Sequence, residues 1–264
     1  MKKENKLVIK IQRLLKKLNQ REYLHHFGPK KYKLKHHLTA LIVMQICKLS
    51  LRRVENFLIL FGIKVPTYSA LCKSRKRIPF ILWQRLLYLT SGLSSGEVAP
   101  DGTGFSRINP SFHYLKRINS ENPKGYAKLS VLFDIKTKKF LAMKIRVKPR
   151  HDLQDIKYLL KRVSNLKVIY ADKGYDAEWL HEFCYWNGIK SVIKSKEWTK
   201  KGWARRIQKK NFENYNYGLR SNVESGFSAI KRKYGSGVKS KKIEGLRTEI
   251  VCKGIAHNLN LMQA

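Results

Sequence analysis

Apolar residues recur at helical spacing from the start of the chain. Leu7, Ile11, Leu14, Leu15 and Leu18 make one stripe, with Lys10, Lys16 and Lys17 between them. A second helix is predicted over about 35–49. Ser50 is placed to cap a third, with Val54, Phe57, Leu58 and Phe61 on its buried side and Gly62 ending it. Pro66 and Thr67 then open a helix through Tyr68 to Arg77. Beyond Gly96 the period changes. Tyr126–Asp134 and Phe140–Val147 read as two strands of a hairpin, Lys167–Ala171 as a short buried strand, and Ile189–Ile193 as another. Helices are predicted over Asp176–Trp186, Leu219–Tyr234 and Leu246–Met262, whereas Lys194–Tyr217 is poorly patterned and reads as a loop or small insertion. The fold class is α/β: a helical N-terminal region, then a mixed sheet covered by helices.

Charge changes the picture. The chain has 264 residues, with 56 Lys+Arg against 18 Asp+Glu, a formal net charge of +38. Small soluble domains usually carry a net charge of about 2–8. A chain this basic repels itself until a polyanion neutralises it, which argues against a freely diffusing metabolic enzyme. The longest apolar stretch, Leu38–Cys47, contains Thr39 and Gln45 and falls short of the roughly 20 residues that span a bilayer, so nucleic acid is favoured over a membrane. No uninterrupted apolar stretch follows the N-terminus to suggest a secretory signal. Cys47, Cys72, Cys184 and Cys252 lie far apart, which fits a reducing cytoplasm. The pairs His25-His26 and His36-His37 are read as surface or DNA-contacting groups rather than metal ligands.

The acids are unevenly placed. Residues 1–96 hold three, Glu4, Glu22 and Glu55, against 21 Lys+Arg, and the first aspartate is Asp101. With the linker-like Thr90–Gly96, this divides the chain into a basic helical region, 1–93, and a second region, 97–264, with a short basic insertion at about 195–217. The helix ending in Arg75, Lys76 and Arg77 follows another across a short turn, as in helix-turn-helix DNA readers; an ordinary bundle with a solvated basic face has the same pattern.

In so basic a chain each well-placed carboxylate is a candidate. Asp101 lies in Pro100-Asp101-Gly102-Thr103, Asp172 directly follows an apolar strand, and Glu224 lies in a predicted helix. At about 100° per residue, Val223, Phe227, Ile230 and Tyr234 share a narrow apolar stripe with Leu219. Arg220, Glu224 and Lys231 form a polar stripe beside it, joined by Tyr217 if the helix reaches back that far. A carboxylate flanked by cations suits a site on DNA, the acid holding metal and the cations gripping phosphates. Arg220 and Lys231 equally suit plain ion pairing with Glu224.

Tyr217, Arg220, Glu224 and Lys231 stand at Y-x2-R-x3-E-x6-K spacing. This resembles the C-terminal signature of insertion-sequence transposases of the DDE superfamily. Asp101-Gly102-Thr103 and Ala171-Asp172-Lys173-Gly174-Tyr175-Asp176 look like the family's first and second aspartate motifs, in the expected order. The resemblance covers roughly residues 97–260 and implies an RNase H-like catalytic domain. By that resemblance Asp101, Asp172 and Glu224 are the catalytic carboxylates and hold two Mg²⁺ (or Mn²⁺) ions for in-line cleavage at element ends and strand transfer. Tyr217, Arg220, Lys231 and the basic Arg75, Lys76 and Arg77 are then DNA contacts. The implied partners are terminal inverted repeats and target DNA, with a homodimer in synapsis, in the cytoplasm at the nucleoid and away from membranes. A repurposed DNA-binding protein without catalysis, or an RNase H-like nuclease, are the alternative readings.

Other features stay open. Pro100 and Gly102 flank Asp101 and predict a short or bulged strand. Asp134, Asp152, Asp155 and Asp176 are rival carboxylates. Asp152, beside His151, is the strongest of them, and Asp176 is placed to cap the following helix. Trp198 and Trp203 either stack on unpaired bases or pack under their loop.

Overall fold

The computed structural model describes residues 2–25, 27, 30–107, 117, 126–148, 150–196 and 201–262. Two compact units form. The first comprises Met1–Thr90, Arg107–Asn109 and Tyr234–Ala264; the second comprises Ser91–Ser106 and Pro110–Lys233. The stretch Tyr234–Ala264, read from sequence as the end of the second region, thus groups with the N-terminal helices.

The first unit contains α1 (Lys2–Lys17), α2 (Leu34–Ile46), α3 (Leu51–Leu60), α4 (Tyr68–Arg77), α5 (Phe80–Ser91) and, after the sheet, α10 (Ile243–Leu261). The α1 stripe is buried as expected at Ile11, Leu14, Leu15 and Leu18. Ser50 caps α3 by accepting from the Arg53 amide at 3.2 Å, and Thr67 caps α4 by accepting from Ala70. The helices α2 and α10 are buried nearly all round and pack on each other. Such helices form the centre of a core rather than its surface. This corrects the reading of one histidine pair: His37 is buried, and burial, with His36 and His25 adding to it, pushes its pKa down to about 4. His26 lies outside the described residues.

The second unit is built on β1 (Glu97–Arg107), β2 (Tyr126–Asp134), β3 (Phe140–Arg146), β4 (Val168–Ala171) and β5 (Lys190–Ile193), in the order β3-β2-β1-β4-β5. The pairs β3·β2 and β2·β1 are antiparallel, and β1·β4 and β4·β5 are parallel. Flanking helices are α6 (Leu153–Leu160), α7 (Glu178–Trp186), α8 (Trp203–Asn214) and α9 (Asn222–Tyr234). The sheet is mixed and flanked by helices, as the fold class requires.

Three local expectations are corrected. The strand carrying Asp101 is neither short nor bulged: β1 is 11 residues long and runs in unbroken register with β2 from Val98 opposite Asp134 to Ser106 opposite Tyr126. β4 pairs with β1 only at Glu97 and Val98. Pro100 therefore has no β4 neighbour whose ladder its missing N–H would break. The poorly patterned segment holds α8, whose buried side includes the polar Arg205 and Gln208 and so shows no apolar stripe. Finally, Tyr217–Ser221 is a separate 3-10 turn ahead of α9, with Asn216 capping the Gly218 amide at 3.0 Å.

Two anchors fix helices to opposite faces of β2, since Ser130 and Phe133 are an odd number of residues apart. On one face Asp155 of α6, fully buried, accepts from Ser130 Oγ at 3.0 Å and pairs with Arg146 at 2.5 Å. On the other, α9 approaches so closely at Gly226 that an added Cβ would lie 2.6 Å from the Phe133 ring. A buried aromatic ring against backbone leaves little room to give. Gly226→Ala is therefore expected to destabilise the protein by about 1–3 kcal/mol through overpacking. A thermal melt checks this, and an unchanged midpoint would mean α9 is not held at this contact.

Candidate active site

The parallel β1·β4 pair sets two carboxylates. Asp101 lies in β1 opposite Val131, and Asp172 lies immediately beyond β4. Asp101 Oδ1 accepts from the Gly102 amide at 2.7 Å, and Asp172 Oδ1 accepts from the Lys173 amide at 2.6 Å, capping the 3-10 turn Lys173–Tyr175. Glu224, in the first turn of α9, has a side chain 57% exposed.

Arg220 brings these acids together. Its Nη2 lies 2.7 Å from Glu224 Oε1, and its Nη1 lies 3.4 Å from Asp101 Oδ2. Burial pulls the Arg220 pKa down, but Asp101, Tyr217, Glu224 and Asp172 outweigh it, and the net shift is upward. All three motif carboxylates thus act on one guanidinium, two by direct pairing and Asp172 through space. Lys231, two turns along α9, donates to Thr103 Oγ1 at 2.8 Å and lies 5.7 Å from the centre of the Phe105 ring. Thr103 and Phe105 lie two and four residues beyond Asp101 in β1 and share its face, so the cations of this segment line one side of that strand. The Tyr217 ring packs on Phe212, and burial raises its hydroxyl pKa.

Asp101 has a raised pKa. Burial is the main cause; the Gly102 amide and Arg220 oppose it, and Asp152 and Glu224 add to it. That places Asp152 in the electrostatic surroundings of Asp101. Asp152 forms an ion pair with Lys128 at 2.8 Å, and an added Cβ on Gly102 would come within 2.5 Å of its Oδ1. Lys128 is a site residue that sequence reasoning missed, since a lysine inside a strand carries no motif. Tyr175 is also missed: it is 2% exposed, and Asp152, Asp101, Asp155 and Asp172 raise its pKa further above what burial does.

The remaining rivals are structural. Asp134 is fully buried and accepts from Ser94, Ser95, Lys136 and Thr137, closing the β2–β3 turn. Asp176 does not cap α7 with its side chain. It accepts instead from Arg205 at 2.6 Å, from the Lys196 amide at 2.8 Å and from His181 at 3.1 Å. Trp203 packs edge-on against Tyr185 and Trp186, whereas Trp198 is outside the described residues. Arg75, Lys76 and Arg77 end α4, in the other unit. Among the described residues no three His, Cys, Asp or Glu side chains are grouped closely enough to hold a metal ion, and all four cysteines are free. Among the described residues, no helix is long and apolar enough to cross a membrane.

A mixed sheet flanked by helices, with an arginine pairing a carboxylate of β1 with one of α9, defines an α/β protein with an acidic site in a basic chain. The transposase DDE domain family matches residues 98–259, and the chain belongs to that family. A comparison with curated proteins matches none of them.

The coupling of Asp101 to its neighbours has a measurable sign. Removing the guanidinium in Arg220→Gln should raise the Asp101 pKa further, and Glu224→Gln should lower it. A folded carboxyl with a raised pKa binds its proton more tightly than the unfolded one. Stability from this group therefore falls as pH rises from 3.8 through the folded value, and falls further in Arg220→Gln. Carboxyl NMR titration reads the shifts directly; opposite signs would show that Arg220 and Glu224 do not act on Asp101.

Proposed function

We propose that this chain is an insertion-sequence transposase that cuts DNA at the element's ends and joins the freed 3′-hydroxyl to target DNA. The observation that carries this is the pairing of Arg220 with both Asp101 and Glu224, with Asp172 adding to the electrostatic surroundings of the same guanidinium. The carboxylates' sequence separations of 71 and 52 residues preclude a local origin. Strand order β3-β2-β1-β4-β5, with two antiparallel and then two parallel neighbouring pairs, supports an RNase H-like core.

The donors fit a hard divalent cation in kind, since all three are carboxylates, and the site already stabilises a cationic group between Asp101 and Glu224. Asp101, Asp172 and Glu224 are the residues that would hold Mg²⁺ or Mn²⁺. A bound metal pair supplies Lewis-acid polarisation and charge neutralisation at the scissile phosphate. The chain's own groups do the rest. Arg220 neutralises the carboxylates and offers a planar fork to a phosphate. Lys231 holds β1 through Thr103 and presents its charge beside the site. Arg75, Lys76 and Arg77 contribute to holding the terminal repeats, and a homodimer brings two ends into synapsis at the nucleoid.

Glu224→Gln keeps the side-chain size and removes one charge facing DNA. It is expected to abolish Mg²⁺-dependent cleavage of a supercoiled plasmid carrying the element's ends, while DNA binding stays intact or tightens slightly. Lys231→Ala should weaken binding, flatten the salt dependence by about one unit of slope and keep some cleavage at saturating DNA. If both changes only lower the melting temperature and cleavage persists, the pair is structural and the assignment fails.

A further inference from the structure

The first unit contains a cavity of about 680 Å³ that the catalytic reading does not use. Its wall is drawn from four places in the chain: the end of α2 and start of α3, one side of α4, the Gly235–Lys239 segment and α10. Five of its lining side chains are cationic, Lys48, Arg52, Arg75, Lys239 and Lys253, and one is acidic, Glu249. Glu249 is already committed: its carboxylate accepts from the Lys239 amide at 3.0 Å and from Ser240 Oγ at 2.8 Å. Lys253 is likewise committed, donating to the Gly235 and Gly237 carbonyls at 2.8 and 2.7 Å, so the positive balance of charge facing the cavity comes from Lys48, Arg52, Arg75 and Lys239.

Arg75 is the built element of this wall. It falls one and two turns from Cys72 and Tyr68 along α4, and all three line the cavity. Its backbone carbonyl accepts from Thr248 Oγ1 of α10 at 2.9 Å. Its Nε is buried and has no hydrogen-bond partner among the described residues. A buried donor left unmatched is unfavourable, and an anion entering the cavity would satisfy it. Arg52 lies over the Tyr68 ring at 4.8 Å, which fixes a second cation at the rim. The start of α3 adds the positive end of a helix to the same cavity.

We propose that this cavity holds a backbone phosphate of duplex DNA, with Arg75 as its anchor and Lys48 and Arg52 at its mouth. The proposal rests on the reading of the chain as a DNA-acting transposase and specifies which surface of the helical unit does the gripping. A second copy of the chain is a poor occupant, because 18 acids against 56 bases give it no dense anionic surface. A guanidinium recognises phosphate oxygens in pairs, and duplex DNA supplies them in series. Arg75 accordingly has a different role from Lys76 and Arg77, both exposed beyond it on the same helix. The site also needs α10, so residues 1–93 alone lack part of its wall.

The full chain tests this. A fluorescein-labelled duplex is titrated over a salt series with wild type, Arg75→Gln, the double variant Lys48→Gln/Arg52→Gln, and a charge-matched control, Lys16→Gln/Lys17→Gln, on the exposed side of α1. Arg75→Gln should lower affinity on the order of tenfold and reduce the salt slope by about one, and the mouth variant should reduce it by about two. The control should change neither by as much. Inorganic phosphate should raise the melting temperature of wild type more than that of Arg75→Gln. The mouth variant changes only exposed side chains, so it reads the cavity even if Arg75→Gln folds poorly. Slopes and affinities equal to those of the control, or an equal response to phosphate, would overturn the proposal. Plasmid cleavage by the wild type is measured alongside: lost slope without any wild-type cleavage would keep the cavity and sink the transposase reading.

Discussion

The second unit depends on one electrostatic constraint: like charges brought together in the fold need a counter-charge held among them. Arg220 supplies it. Its guanidinium pairs with Asp101 from the sheet and Glu224 from the helix, and it feels Asp172 from the end of a third element. Without it, burial and the neighbouring Asp152 and Glu224 would drive Asp101 further toward its neutral form.

The rest of the unit fixes the distance across which this pairing works. Gly226 lets α9 lie against the Phe133 ring, which brings Glu224 and Lys231 alongside β1. The 3-10 turn Tyr217–Ser221 breaks the helical register before α9, and Arg220 reaches Asp101 from that turn. On the opposite face the buried Asp155, bonded to Ser130 and Arg146, ties α6 to the sheet and carries Asp152 to its place beside Gly102. Each anchor is a buried contact with little freedom to adjust, which suits a site in which small displacements change chemistry.

Much of this was legible in the sequence. The strands at Tyr126–Asp134 and Phe140–Arg146, the short β4, the cap at Ser50, and the buried set Val223, Phe227, Ile230 and Tyr234 all follow from alternation, capping chemistry and helical period. What was not legible had no such signal. α8 buries Arg205 and Gln208, so no apolar stripe marks it. The long β1 tolerates Pro100 because β4 pairs only its first residues, a fact of topology. His37 is buried because α2 is surrounded, which adjacency along the chain does not reveal. At the site, the three motif carboxylates and Arg220 were marked by spacing, whereas Lys128 and Tyr175 join only through folding.

The measurement that bears most directly on the central claim is a double-mutant cycle between Asp101 and Arg220. Folding stability is measured for wild type, Asp101→Asn, Arg220→Gln and the double variant. Residues in direct electrostatic contact couple by about 0.5–3 kcal/mol, so the double variant should lose less than the sum of the two single losses. Additivity within about 0.3–0.5 kcal/mol would contradict the account, because it would show that the arginine does not hold the carboxylate on which the site is built.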